Sequence, residues 1–395
     1  MTEAQQIAQA AAIGAAKGAA LAGQRINVIG TGQDRFTADA VATLKYLATG
    51  QGQPAMPTSQ IGLRIATTCL ANSGVNTFAM PQDFVAEQAL GGSVNRPGDF
   101  PAIMSAAATS IMEDAAQGAA TTFEQWADRL PDSDTIDPVS IGGAGAIDDL
   151  DDHVDGDDVK ERKMSSEHKG WIQVEHQAND IVLTPLMVVD AIKFQGFLRM
   201  LAQLGTAGKR SLNRKMIALL GTNPTLFDGV ALFHTSHGNL VASGAAPSDT
   251  SLRANRALHA AQRAPGSSSQ SGVDPMIVLV PDALKITAET AFQTILLAIG
   301  RAVANVESSQ QYFKDRIKVL SDPELDNYSA SAWYSMVDPT LIGLRSFVYR
   351  YMAGDGPSGR PVQYFDHRKR GMVFGIDFKA GCAITKHRGV VKNPG

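Results

Sequence analysis

The feature that most constrains this chain is a long apolar stripe that runs from Thr184 to Gly221. Thr184 is suited to an N-cap and Pro185 to a first helical turn, and glycine often follows a helix end. About 36 residues at 1.5 Å each would form a helix of roughly 54 Å, which Gly205 and Gly208 could kink. Because so long a helix is uncommon in a compact domain, the pattern predicts a spine that carries separate lobes. The stripe consists of Leu186, Val189, Phe194, Phe197, Leu198, Leu201, Leu204, Leu212, Met216, Leu219 and Leu220.

The segments beyond the spine mix helices and strands without a regular βαβ repeat. This order predicts an α+β fold and argues against a doubly wound sheet. The Ala-rich stretch Ala4–Leu21 is interpreted as a weak helix and not as a secretory signal. The pattern predicts helices at Ser251–Gln262 and Ala283–Ala302, and strands at Met276–Val280, Ile317–Leu320, Trp333–Val337, Leu341–Tyr351, Val373–Phe378 and Ala383–Val391.

An acidic stretch precedes the spine, with seven aspartates between Asp148 and Asp158. The following residues, Val159–His176, alternate charged and apolar side chains, as in a hairpin or an extended arm. We expect a loop that projects from the surface. A calcium loop is the alternative, but the aspartates around Gly156 lack the order of an EF-hand.

The composition indicates association with other subunits. Charged residues make up 19% of the chain and the net charge is −4, so no global basic balance marks a nucleic-acid-binding protein. This low content of charged residues is typical of a chain that covers part of its surface with other subunits. No apolar run reaches the length of a membrane span, and the two cysteines are expected to be reduced thiols.

Two histidines three residues apart, His234 and His237, are the strongest candidates for chemistry. A metal-dependent hydrolase that uses both is one hypothesis, but no HExxH motif or carboxylate at ligand spacing accompanies them. The alternative is that both imidazoles bond backbone groups in a buried connection flanked by Asp228-Gly229 and Gly238-Asn239 turns. Neither a nucleophile elbow nor a Walker loop is present, so no active site and no cofactor are predicted.

The segment Asn223–Leu240, NPTLFDGVALFHTSHGNL, resembles the signature of the Mu-like major head subunits of tailed phages. Flanking motifs occur in the same order as in that family, over roughly residues 95–395. They are Pro97–Pro101, Leu279-Val280-Pro281, Trp333-Tyr334, Asp338-Pro339, Asp377-Phe378 and His387-Arg388-Gly389. The family's Asn-Asp-Asp run before the spine is only partly matched, by Asn179-Asp180.

The resemblance implies a Hong Kong 97-type capsid fold. Its layout assigns an N-terminal arm to residues 1–145 and an extended loop, the E-loop, to 146–182. A peripheral domain would comprise 183–244 and 341–395, with the spine helix at 184–221, and an axial domain 245–340. Covalent cross-linking occurs in some shells of this fold, and Lys169 lies in the expected E-loop, although nothing identifies its partner.

The resemblance further implies a major capsid protein that self-assembles, as hexameric and pentameric capsomers, into the icosahedral head of a phage. Portal, scaffold or cement proteins and non-specific contact with packaged double-stranded DNA are further expected partners, with assembly in the host cytoplasm; a minor virion protein is the alternative. Acidic and basic groups are expected to meet across subunits, in contacts that salt would weaken. The interface candidates are Asp148, Asp149, Asp151, Asp152, Asp157, Asp158, Lys160, Arg162, Lys163, Trp171, Arg210, Arg214, Arg368 and Arg370, and Asp228, Gly229, His234, His237, Gly238 and Asn239 mark the family connection.

Overall fold

The structure is a computed structural model that describes residues 32–78, 80–91, 99–144, 166–263, 270, 272–292, 317–341 and 346–395. The chain divides into two units. The first contains the described residues of Met1–Ile111, Val182–Arg199 and Tyr364–Val373. The second contains those of Met112–Ile181, Met200–Gln363 and Phe374–Gly395.

Helices and strands are mixed along the chain, and this confirms the predicted α+β class. The helices are α1 (Gly32–Thr49), α2 (Ile61–Asn72), α3 (Gln82–Gly91), α4 (Phe100–Gln117), α5 (Pro185–Val189), α6 (Ala191–Gly221), α7 (Asp249–Ala261) and α8 (Lys285–Phe292). The strands are β1 (Asp128–Arg129), β2 (Val139–Ala144), β3 (Ser166–Ile172), β4 (Glu175–Leu183), β5 (Ile277–Pro281), β6 (Lys318–Asp322), β7 (Trp333–Met336), β8 (Phe347–Tyr351), β9 (Arg360–Asp366), β10 (Gly371–Ile384) and β11 (Val390–Asn393).

The predicted spine helix is divided at Asp190 into the short helix α5 and the 31-residue helix α6. Asp190 has an extended backbone, and its carboxylate accepts hydrogen bonds from the N–H groups of Ile192 (3.0 Å) and Lys193 (3.2 Å). These bonds hold the pKa of Asp190 below its usual range. Asp190 thus caps α6, whereas Thr184, the predicted cap, forms no side-chain cap bond.

Gly205 and Gly208 lie inside α6 without ending it, and both are closely packed against neighbouring elements. A Cβ atom at Gly205 would lie 2.4 Å from the carbonyl oxygen of Met112 on α4, and one at Gly208 would lie 2.5 Å from the ring of Phe378 on β10. Both positions therefore require glycine because neighbouring atoms occupy the space of a side chain.

The first unit buries apolar side chains of its helices around α5 and the start of α6. Phe194 and Phe197 are each 1% exposed, and their rings stack with centroids 6.5 Å apart. Gly62 of α2 lies against them, since a Cβ atom there would be 3.1 Å from the ring of Phe194. Thr43 of α1 accepts a hydrogen bond from the Met56 N–H at 3.0 Å, which fixes the chain that follows α1.

The second unit contains a four-stranded sheet in the order β11-β7-β5-β6. Strand β5 is parallel to β6 and antiparallel to β7, and all of its residues are buried. Ile277 and Leu279 pack into one apolar cluster, while Val278 and Val280 pack into another on the opposite face. The predicted buried strand is therefore confirmed, because a run of consecutive apolar residues suits a strand covered on both faces.

A five-stranded sheet has the order β1-β8-β10-β4, and β9 also pairs with β10. Strand β10 runs without interruption from Gly371 to Ile384 and pairs antiparallel with β8. The sequence-based strand Ala383–Val391 is wrong, because the chain leaves the sheet after Ile384 and starts β11 only at Val390. Of the predicted Leu341–Tyr351 strand, the described residues form β8 at Phe347–Tyr351.

Strands β2 and β3 form a separate antiparallel pair, here called the ribbon. In the described residues, the alternating segment Val159–His176 supplies β3. This strand pairs with β2, which precedes it in the sequence, and not with β4, which follows it. Residues 145–165, which include Asp148, Asp149, Asp151, Asp152, Asp157, Asp158, Lys160, Arg162 and Lys163, lie outside the described residues, as do Ala4–Leu21 and 293–302.

Buried His259 on α7 makes stability depend on pH. Burial lowers its pKa to about 4, although its Nε2 atom lies 3.0 Å from the hydroxyl of Ser335. The unfolded histidine has a pKa near 6.5, so the unfolded chain takes up the proton first as the pH falls. Stability should be unaffected by this group above pH 6.5 and fall between about 6.5 and 4. We expect a loss of about 2 kcal/mol at pH 5 relative to pH 7.

Urea unfolding of the wild type and His259→Gln at both pH values checks this expectation. The variant should lose this part of the pH dependence, whatever its stability at pH 7. Equal pH dependence in both proteins would contradict it.

Candidate functional site

The connection from Asn223 to Leu240 is built from side chains that bond to its own backbone. Asn223, with a positive φ of 51°, accepts a hydrogen bond from the Phe233 N–H (2.7 Å) and donates one to the Phe233 carbonyl (3.2 Å). Asp228 accepts a bond from the Val230 N–H at 3.0 Å, and Gly229 adopts a φ of 79°. These contacts agree with the turn predicted at Asp228-Gly229.

The two histidines of this connection have different roles. The exposed His234 ring accepts a hydrogen bond from the Ser236 N–H at 3.1 Å and so caps a short 3₁₀ turn. His237 has its Nδ1 atom 3.0 Å from the Leu232 carbonyl and its Nε2 atom 2.8 Å from the Asp228 carboxylate. The sequence shows no carboxylate at ligand spacing, but the turn at Gly229 brings Asp228 back to His237 in space.

A third group, His387, joins this pair from the segment between β10 and β11. Its ring stacks on that of His237, with centroids 4.1 Å apart and planes 6° apart. One ligand atom from each of Asp228, His237 and His387 lies within 4.8 Å of the others. The structure thus replaces the pair His234 and His237 with a three-residue cluster, which we call the Asp-His-His cluster.

Asn239 holds the two segments of the cluster together. Its side chain is fully buried and donates hydrogen bonds to the carbonyls of Leu232 (2.7 Å) and His387 (3.1 Å). It also accepts one from the His234 N–H at 3.0 Å. Gly238, with a φ of 62°, provides the left-handed residue before it. The connection is therefore anchored to the C-terminal part of the chain by buried hydrogen bonds.

The ribbon presents an aromatic side chain to solvent. Trp171 is 60% exposed, while its neighbour Ile172 is fully buried against Val348 and Ala383. Gly170 lies against the backbone of Ile384, where a Cβ atom would be 2.9 Å from the carbonyl oxygen. Since successive residues of a strand point to opposite sides, one face of β3 is anchored and the other is open.

The four arginines proposed for subunit contacts are all exposed. Arg214 pairs with Glu324 at 3.0 Å, and this carboxylate raises the pKa of the Arg214 guanidinium. Arg370 lies 3.7 Å from Glu87. Arg210 is 3.4 Å from the carbonyl of Gln203, and only the backbone of Arg368 takes part in a turn, with Asp366.

The family of the chain follows from its sequence. The model of the family described as phage capsid protein matches residues 172–393, which is more than half of the chain. The match includes the connection Asn223–Leu240 and His387. The chain belongs to the phage capsid protein family. It is a shell protein of a bacteriophage virion, and the predicted capsid subunit is confirmed.

Solved capsid structures resemble this capsid protein at low sequence identity. The capsid of Ralstonia phage GP4 is 14% identical, with a TM-score of 0.47, over 70% of this chain and 91% of that one. The capsid of Myoviridae phage XM1 is 14% identical, with a TM-score of 0.43, over 70% and 92%. The procapsid of bacteriophage JBD30 is 13% identical, with a TM-score of 0.38, over 75% and 76%. No curated protein sequence matches the chain.

Sequence reasoning missed His387 as a member of the cluster. It is 150 residues from His237, and the only signal was the His387-Arg388-Gly389 motif near the end of the chain. Among the described residues of this capsid protein, no helix is long and apolar enough to cross a membrane.

Proposed function

We propose that this capsid protein builds its shell by laying the ribbon onto a neighbouring copy of itself. The observation that carries the proposal is the exposed Trp171 on a two-stranded sheet. Within the described part of the chain, β2 and β3 pair only with each other. A two-stranded sheet alone buries little apolar surface, so it gains stability by packing against a further surface.

The position of Trp171 suits an interface residue. Tryptophan is enriched among the few residues that dominate the binding energy of protein interfaces. Its cross-strand partner is the small Ser140, which leaves the indole ring uncovered on that face. At the base, buried Ile172 fixes the ribbon to the sheet, so that the exposed ring is held in place before association.

The ribbon changes the proposed boundary between the N-terminal arm and the E-loop. We propose an E-loop that begins at Val139, where β2 starts, and not at residue 146. The N-terminal arm then ends before Val139. Residues 183–244 and 341–395 remain our proposed peripheral domain and 245–340 our proposed axial domain, in a Hong Kong 97-type arrangement.

Charged contacts between subunits are proposed to fix register more than affinity. Arg214 and Arg370 already have carboxylates nearby in their own subunit. Arg210 and Arg368 are therefore the stronger candidates to meet the acidic residues at 148–158 of a neighbour.

The proposed role is structural and not enzymatic. The predicted hydrolase pair is not favoured, because the His234 Nδ1 atom bonds to Ser236 and His234 is not part of the Asp-His-His cluster. Portal, scaffold or cement proteins are proposed partners, and contact with packaged DNA is proposed to be non-specific, since the chain is net acidic. Assembly is proposed to take place in the host cytoplasm.

Assembly of Trp171→Ala tests the proposal. We expect the protein concentration needed for shells or capsomers to rise about tenfold or more, which corresponds to about 1.4 kcal/mol or more per contact. Sedimentation velocity and negative-stain microscopy measure assembly, and circular dichroism confirms that the subunit is folded. Because Trp171 is mainly exposed, unfolding of the free subunit should change by no more than about 0.5 kcal/mol.

The matched control is Ser140→Ala, which alters the same ribbon opposite Trp171 but removes only a hydroxyl. It should assemble like the wild type. Assembly of Trp171→Ala at the wild-type concentration would overturn the proposal.

A further inference from the structure

We propose that the Asp-His-His cluster binds a divalent transition-metal ion, such as Zn²⁺, that ties the connection after α6 to the segment before β11. The ligands are Asp228, His237 Nε2 and His387. This site is separate from the ribbon and does not depend on the assembly proposal.

The hydrogen bonds of His237 carry the argument. Its Nδ1 atom is 3.0 Å from the carbonyl oxygen of Leu232, which can only accept, so Nδ1 carries the proton. In a neutral imidazole the Nε2 atom then has a lone pair, yet it lies 2.8 Å from an Asp228 carboxylate oxygen, which also only accepts when ionised. Two acceptors at this distance require either a proton shared between them or a metal ion that both groups bind.

The surroundings of these groups match those of metal ligands. A metal-binding histidine usually donates its other N–H to a carbonyl or carboxylate, as Nδ1 does here. Ligating carboxylates are themselves hydrogen-bonded, and the second oxygen of Asp228 accepts the Val230 N–H at 3.0 Å. His237 has a side chain only 6% exposed, whereas that of Asp228 is 27% exposed. Asp228 and His237 are therefore held by hydrogen bonds, and the site is reachable from solvent through Asp228.

His387 supplies the third ligand after a rotation of its ring. The His237 and His387 rings are nearly parallel, so an ion in the plane of His237 lies beside the face of His387 and not along its lone pair. The backbone of His387 is fixed by Asn239, and that of Gly389 by Gln262 at 2.8 Å. The proposed site therefore requires rotation of the His387 ring about its side-chain torsions while the backbone stays in place.

The ligand set selects the class of ion. Two imidazoles and one carboxylate suit zinc and related transition metals, whereas Mg²⁺ and Ca²⁺ prefer sites made only of oxygen atoms. Such an ion joins residues 150 positions apart and stabilises the folded subunit in proportion to the logarithm of its concentration.

Calorimetric titration of metal-stripped full-length subunit with Zn²⁺ alone tests the site. We compare the wild type with His237→Gln, His387→Gln and the matched control His234→Gln, which changes a histidine in the same connection outside the cluster. The wild type and the control should share one binding event that both cluster variants lose or weaken at least tenfold. Zinc should also raise the melting temperature of the wild type and the control by the same amount, and Mg²⁺ should not.

The comparison remains decisive if other residues of the chain also bind zinc, because the control carries all of them. Equal zinc binding by all four proteins would overturn the proposal, as would no binding at all. That last result would assign the contact between His237 and Asp228 to a hydrogen bond alone. If a cluster variant fails to fold, the visible absorption of Co²⁺ bound to the wild type and to His234→Gln decides, since a spectrum without imidazole ligation rejects the site.

Discussion

Replacing Gly205 by alanine is expected to lower the free energy of unfolding by about 3 kcal/mol. In most helices the same change is stabilising, because alanine has the higher helix propensity. Here the added Cβ atom would lie 2.4 Å from the carbonyl oxygen and 2.7 Å from the Cα atom of Met112. Both contacts are with the backbone of α4, so no side chain can turn away, and the two helices must shift.

Gly196 provides the matched control in the same helix. It is exposed, and a Cβ atom there would have no neighbour within 4 Å. Gly196→Ala should therefore raise the free energy of unfolding by up to about 1 kcal/mol. Urea denaturation of the free subunits measures both variants, and a Gly205→Ala protein as stable as Gly196→Ala would contradict a close contact between α6 and α4 at this position.

Trp333→Ala is expected to have the largest effect of any single change considered, a loss of about 4 kcal/mol. Trp333 is completely buried in the cluster that contains Val278 and Val280. Its Nε1 atom donates a hydrogen bond of 2.9 Å to the carbonyl of Ala245. The variant leaves both a cavity and a carbonyl without its donor, and each is destabilising.

Two controls separate these contributions. Trp333→Phe keeps most of the apolar packing and removes the donor, so we expect it to lose roughly half as much stability or less. Trp171→Ala removes the same side chain from an exposed position and should be nearly neutral for the free subunit. Chemical denaturation gives the comparison, and equal effects of Trp333→Ala and Trp171→Ala would contradict a stabilising role for the buried Trp333 ring.

Local patterns predicted the elements that depend on near neighbours in sequence. The apolar stripe predicted most of α6, and the continuous run Met276–Val280 predicted β5, because burial on one or both faces leaves a direct trace in residue order. The break at Asp190 was missed. An aspartate within an apolar stripe can be a solvated side chain or a helix cap, and only the backbone geometry distinguishes them.

The candidate site was predicted in part. Asp228-Gly229 and His237 were identified, but the relevant partner of His237 is His387 and not His234. The spacing of His234 and His237 suggested a pair, whereas the 3₁₀ turn directs His234 toward Ser236. A contact between residues 150 positions apart has no local signature.

The sequence by itself determined the family, the α+β class, the long helix and the turn at Asp228-Gly229, since these depend on motif order and on interactions within a few residues. Only the tertiary structure decided which distant groups meet. It placed Met112 against Gly205, paired β2 with β3, and stacked His387 on His237. The physical reason is that close packing selects long-range partners by shape and available space, and many residue pairs of similar chemistry would satisfy the same pattern in the sequence.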